Sequence, residues 1–144
     1  MLNLMLKVMV FLYRSTGGRI GGKVQGLPVL LLTTTGRKSG KPRTVPLGYL
    51  RDGSTYVIIA SYGGLPRHPA WFFNLQSHSE ATIQAKNVQV QVRAELANPE
   101  KKHDLWARLL EVAPGYANYQ KRTSRDIPMV ILYPIDERGE TRPA

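Results

Sequence analysis

Six short runs of β-branched and apolar residues, each bounded by turn signals, constrain this chain more than any other feature. They fall at residues 29–35 (VLLLTTT), 44–50, 55–61, 82–85, 88–96 and 127–133, and each has strand character. Asp52 and Gly53 join the second run to the third, a strong hairpin signal. In the fifth run Val88, Val90, Val92 and Ala94 alternate with polar residues, which predicts one wet face and antiparallel pairing. At 144 residues the chain suits one domain that buries roughly two-thirds of its unfolded surface. Six strands in that length, with a few helices between them, are best satisfied by a closed or nearly closed barrel, since closure removes exposed edges. The expected class is mainly β with peripheral helices.

Helices are expected at four places. Residues 1–14 are almost all apolar, with Asn3, Lys7 and Arg14 within one narrow arc at about 100° per residue. The stretch is too short to cross a bilayer, and it lacks the basic start and cleavage site of a secretory leader. It reads as a helix packed on the core or on a second copy, with lying on a membrane surface as the alternative. Glycines at 17, 18, 21, 22 and 26 make the rest of residues 1–28 a flexible connection. A second helix begins near Ala70, with Pro69 at its first position, and runs to about residue 76. Asn98, Pro99 and Glu100 form a cap, a first-turn proline and an acid at the positive end of the dipole. A last helical turn covers residues 116–123. The domain proper spans residues 29–135, and residues 136–144 read as a frayed tail.

The chain has no cysteine, so it holds no disulfide, thiolate ligand or cysteine nucleophile, and a cytoplasmic location is expected. His68, His78 and His103 are scattered and show no metal-site spacing, so no metal is expected. No pair of acids sits in an apolar strand, and no G-x-S-x-G accompanies Ser61. The missing acid–base machinery points to chemistry carried by a cofactor.

A net charge of +10 must be soluble beside something negative, and its placement is informative. Gly36, Arg37, Lys38, Ser39, Gly40, Lys41, Pro42 and Arg43 form a loop with four cations and a freed backbone, a cradle for phosphate or carboxylate. A solvated hairpin tip remains the alternative. Nucleic acid is disfavoured because the loop has no stacking aromatic. A second signal is Ser61, Tyr62, Gly63 and Gly64 leading to His68, Pro69, Ala70 and Trp71, where a strand delivers a hydroxyl and a helix start then offers free N–H groups. An ordinary strand-to-helix connection would look the same. Tyr116 and Tyr119 share one helical face, as packing residues also do.

Taken together, LLLTTTGRKSGKPRTVPLGYLRDG, YVIIASYGGLPRHPAWFFNL and YANYQKRTSRDIPMVIL resemble the deazaflavin-dependent nitroreductase family of actinobacteria, from about residue 30 to residue 134. That family belongs to the flavin/deazaflavin oxidoreductases, whose fold is an FMN-binding-like split β-barrel. The resemblance implies coenzyme F-420, a deazaflavin with a phosphate and an oligoglutamate tail, and hydride transfer to an electron-poor enone, quinone or nitroaromatic. It assigns Arg37, Lys38, Lys41 and Arg43 to the cofactor's anionic tail. It sets Pro46, Ile59, Ser61 and Tyr62 beside the ring, and Ala70, Trp71 and Asn74 at the ring's polar edge. Tyr116 and Tyr119 fall over the acceptor pocket, with Tyr116 as candidate proton donor and Ser61 orienting cofactor or acceptor. Gly48 and Tyr62 depart from the nitroimidazole-reducing members and favour enones or quinones. FMN in the same barrel, or a carrier that binds deazaflavin or quinone without catalysis, are the rival readings. A homodimer is compatible with the apolar first helix, as is contact with the inner face of the membrane.

Overall fold

The computed structural model describes residues 2–141, with the backbone alone for residues 2 and 3, so the side chain of Asn3 lies outside the described residues. Seven strands are present among these: β1 (Lys23–Val24), β2 (Leu27–Thr35), β3 (Pro42–Asp52), β4 (Thr55–Ile59), β5 (Glu80–Ala85), β6 (Val88–Leu96) and β7 (Met129–Pro134). All pairings are antiparallel. From β2 the order runs β2–β3–β4–β7–β6–β5, and β5 returns to β2, closing a six-stranded barrel. The fold is a split β-barrel of mainly β class, with helices α1 (Leu2–Thr16), α2 (Ala70–Ser77), α3 (Pro99–Val112) and α4 (Tyr116–Arg122) around it.

Strand β2 has no wet face. Leu30 and Leu32 point into the barrel with Ile58, Ile83, Val92 and Leu132, while Val29 and Leu31 lie outside it under Tyr13 and Val10 of α1. That two-sided burial is why VLLLTTT does not alternate. Tyr13 pins α1 in place: its hydroxyl donates to the Val29 carbonyl at 2.7 Å and accepts from the Lys86 amide at 2.8 Å. A second core lies outside the opposite wall, where Leu105 and Leu109 of α3 and Tyr116 of α4 pack on Leu27, Val57 and Ile131.

Several local expectations are revised. Residues 15–28 are not simply a flexible connection, because Val24 pairs with Leu27 across a two-residue turn whose Gln25 and Gly26 have φ of 49° and 88°. Pro69 is the extended residue before α2, and Ala70 is the first helical one. β4 ends at Ile59, so Ser61 stands outside the strand and precedes a single 3-10 turn, Tyr62–Gly64. Residues 136–141 form a closed turn in which the Asp136 carboxylate accepts from the amides of Arg138 and Glu140, both at 2.9 Å. Residues 142–144 lie outside the described residues. On α1, Leu4, Met5, Val8, Met9 and Phe11 are exposed, so its apolar surface is only partly used. No helix among the described residues is long and apolar enough to cross a membrane.

The start of α3 follows the local reading: the Asn98 Oδ1 accepts from the Lys101 amide at 2.8 Å, with Pro99 first and Glu100 in the first turn. Asn98→Ala is expected to lower unfolding stability by about 1 kcal/mol in urea melts, and Asn98→Asp to retain most of it. An alanine variant as stable as the parent would mean that α3 is held by its buried leucines alone.

Candidate active site

The loop between β2 and β3 is held by its own backbone: the Gly36 amide donates to the Lys41 carbonyl and the Gly40 amide to the Gly36 carbonyl, each at 2.8 Å. Gly40 takes φ of 71°, the left-handed conformation that glycine adopts without strain. This compact turn leaves Arg37, Lys38, Lys41 and Arg43 exposed, and none has an acidic partner among the described residues. The contrast with Asp52 is sharp. That carboxylate meets Lys101 at 2.7 Å and Arg108 at 2.8 Å, and the two cations hold its pKa below the ordinary range.

Beside the loop lies a groove of about 720 Å³ between the barrel, α1 and the start of α2. Arg37, Lys38 and Arg43 line it, and so do Ala70, Trp71 and Asn74. Lys41 belongs to the same loop but not to the groove wall. No side chain caps α2, so its first-turn N–H groups and its dipole favour an anion there. Asn74 is buried, and both ends of its amide are engaged: Oδ1 accepts from the Arg37 amide at 3.1 Å and Nδ2 donates to the Thr34 hydroxyl at 3.0 Å. Its visible role is to lock the loop to α2. The Arg37 guanidinium lies 4.6 Å from the centre of the Phe73 ring, a cation–π contact that further fixes the wall.

Lys7, with Leu6 and Val10 of α1, completes the groove. The sequence by itself places Lys7 only in the wet stripe of a helix. Helical periodicity shows which side of α1 is polar but not what that side faces, so no local signal could have joined Lys7 to a loop some thirty residues away.

The remaining expected residues gather at the other end of β3. Val45 and Leu47 pack against the barrel interior, so Thr44, Pro46 and Gly48 share the outer face. Thr44 lines the groove, whereas Gly48 faces Tyr116. Four residue steps along the strand separate them, about 13 Å. A Cβ on Gly48 would stand 3.2 Å from the Tyr116 hydroxyl and 3.1 and 3.2 Å from Leu27 and Val24, so the absent side chain lets Tyr116 close against the strand. Ile59, just past the β3–β4 ladder, packs in the same cluster as Tyr116.

Tyr116 is buried, and burial first, then Tyr119, pushes its pKa up to about 12. Its oxygen makes no hydrogen bond among the described residues, yet no fully occluded side-chain polar atom among them lacks a partner. The hydroxyl tip is therefore not fully occluded and, at neutral pH, it is protonated. Tyr119 packs edge-on against Tyr116 with ring centres 5.3 Å apart, and its hydroxyl accepts from the side-chain Nε2 of Gln25 in the β1–β2 turn. Tyr62 is exposed, and Gly64 abuts α4, since a Cβ there would lie 2.9 Å from the Tyr119 carbonyl. The structure thus gathers Ile59, Ser61, Tyr62, Tyr116 and Tyr119 into one neighbourhood. The helix start and Asn74 belong instead with the cationic loop, and Pro46 lies between the two groups. No cluster of metal-ligating side chains occurs among the described residues.

Residues 5–134 match the profile of a family described as F420H(2)-dependent quinone reductase. The chain is 46% identical over 128 residues to F420H(2)-dependent quinone reductase Rv1261c of Mycobacterium tuberculosis, covering 84% of each sequence. Among solved structures it is similar to an F420-H2 dependent reductase (FDR-A), with 38% identity, a TM-score of 0.67, and coverage of 73% of this chain and 93% of that one. It is also similar to a protein described as a domain-swapped dimer, with 32% identity, a TM-score of 0.70, and coverage of 90% and 97%. With a cationic groove at one end of an outward-facing strand and a tyrosine pair at the other, the chain belongs to the F420H(2)-dependent quinone reductase family.

Proposed function

We propose that the protein reduces a quinone with coenzyme F-420, holding the cofactor's anionic tail in the groove and its ring near Ser61, Tyr62 and Tyr116. That it is an F-420-dependent reductase follows from its family. The observation that carries the placement is the outer face of β3, which runs from Thr44, beside a groove whose cations have no acidic partner among the described residues, to a protonated tyrosine opposite Gly48.

The residues present fit such a cofactor. Phosphate and carboxylates need cations free of acidic partners, and among the described residues Lys7, Arg37, Lys38 and Arg43 meet that condition beside an uncapped helix start. Arginine adds bidentate capture of planar anions. When bound, reduced F-420 supplies a hydride to an electron-poor acceptor. Pro46 offers a flat wall, Ser61 orients, and the Tyr116 hydroxyl donates a hydrogen bond or a proton to the oxyanion that hydride addition creates. Because its pKa lies near 12, the phenol keeps its proton at any working pH. A quinone is the acceptor that the family's description names, and the oxyanion that hydride addition leaves on it takes one donor at an oxygen. Enones and nitroaromatics are the acceptors to compare.

The exposed flank of α1 is read as a contact for a second copy of the chain. It displays five large apolar side chains, and a relative 32% identical is described as a domain-swapped dimer. Light scattering is expected to give twice the chain mass, reduced to one by Phe11→Asp with Met9→Asp. A monomer that instead sediments with anionic vesicles would replace the second copy with a membrane surface.

Anaerobic titration with F-420 and with FMN, side by side, tests the cofactor reading. F-420 is expected to bind at least tenfold more tightly, and Lys38→Ala with Arg43→Ala to weaken it at least tenfold, as does rising salt. Preference for FMN, or binding indifferent to both perturbations, would overturn the tail assignment. Reduced F-420 mixed with menadione should be reoxidised, which a mere carrier would not do. Tyr116→Phe is expected to lower kcat about a hundredfold with little change in cofactor affinity. Full turnover in that variant would make solvent the proton source.

A further inference from the structure

Arg125 lies between α4 and β7 and has no acidic partner among the described residues. Its guanidinium reaches a single stretch of chain at three points. Nη2 donates to the Ser61 carbonyl at 2.7 Å, Nε donates to the Leu65 carbonyl at 2.9 Å, and Nη1 meets the His68 Nδ1 at 2.9 Å. Its own backbone is tied to α4, because its carbonyl accepts from the Gln120 side chain at 2.8 Å and its amide donates to the Thr123 hydroxyl at 3.2 Å. The stretch so gripped needs holding. Tyr62, Gly63 and Gly64 take φ of 45°, 65° and 79°, and a left-handed conformation at a non-glycine residue such as Tyr62 is disfavoured. Within the turn, only the bonds from Gly64 to Ser61 and from Leu65 to Tyr62 support it.

We propose that Arg125 is a positioning residue for the reductase reaction, clamping residues 61–68 to α4 so that Ser61 and Tyr62 keep their place opposite Tyr116 and Tyr119. The proposal rests on the cofactor reading above, since it is that reading that gives residues 61 and 62 a partner to face.

The clamp carries its own chemical condition. A guanidinium only donates, so Nδ1 of His68 must present its lone pair, with the ring neutral and its proton on Nε2. Protonation would remove the acceptor and set one cation against another. The His68 ring lies against Phe72 and Phe73, with centres 4.7 and 5.8 Å away, beside a cavity of about 710 Å³. The charged and titratable groups of that cavity are Lys102 and His103 of α3 and Asp126, which is paired with Lys102. Burial, then Arg125, holds the His68 pKa below its ordinary 6.5. A base whose folded pKa is depressed contributes stability at neutral pH that is lost as pH falls below its unfolded value. The clamp is therefore intact at neutral pH and released in acid.

Hydrogen exchange, cofactor affinity and steady-state kinetics on wild type, Arg125→Ala, Arg125→Lys and His68→Gln test this. The exchange arm needs no cofactor, so failure of wild type to bind F-420 would sink the cofactor reading and leave the clamp to be judged separately. In Arg125→Ala, exchange across residues 61–68 is expected to quicken at least tenfold while the barrel strands stay protected. Its kcat should fall at least tenfold, well below its melting temperature, with Arg125→Lys recovering part of both. Unchanged exchange would remove the clamp; faster exchange with an unchanged kcat would reduce Arg125 to a structural role and overturn the proposal. Glutamine at position 68 can accept from Arg125 without titrating. His68→Gln should therefore keep a larger fraction of its neutral-pH rate than wild type does in a pH profile carried down through the His68 titration. An equal fraction would eliminate His68 from the clamp. Should Arg125→Ala fail to fold, the lysine and glutamine variants still decide the matter.

Discussion

Everything else in this structure depends on β2 being paired along both edges and buried on both faces. It bonds to β3 on one side and to β5 on the other, which turns a sheet into a barrel. Its inward leucines fill that barrel, while its outward Val29 and Leu31 receive α1 through Tyr13. A strand so confined cannot slip by one residue without turning both sets of side chains the wrong way. Register at β2 therefore sets where its loop emerges, and the loop sets where the cations stand.

Those cations are a standing electrostatic cost. Lys7, Arg37, Lys38 and Arg43 share a groove with no acid among the described residues to offset them, whereas Asp52 on the far hairpin is satisfied by two bases. Fold stability alone gives no reason to gather like charges beside the positive end of a helix. An anionic partner does, and Asn74 and Phe73 hold the arrangement open by bonding the Arg37 backbone and stacking its guanidinium.

The acceptor end is built differently, by exclusion and strain. Gly48 surrenders its side chain so that Tyr116 can approach β3, and the turn at residues 62–64 accepts three left-handed residues so that it can abut α4. Such features are unfavourable locally and persist only because neighbours over-determine them. Arg125 is the neighbour that reaches both the turn and α4.

The amino-acid sequence by itself determined whatever depends on near neighbours. The cap at Asn98, the Asp52–Gly53 hairpin, all six strand cores to within two residues at either end, and the cationic loop were legible because propensity and turn chemistry act over a handful of positions. The overall barrel and the family were legible too, the latter through motifs that lie far apart and match together. Tertiary structure alone decided that Lys7 joins Arg37, that the Gln25–Gly26 turn reaches Tyr119, that the start of α2 sides with the loop, and that one arginine near the end of the chain grips residues 61–68. Each of these joins residues separated by tens of positions, and such contacts are selected by closure of the barrel and the packing of its two cores, not by the preferences of the segments that meet.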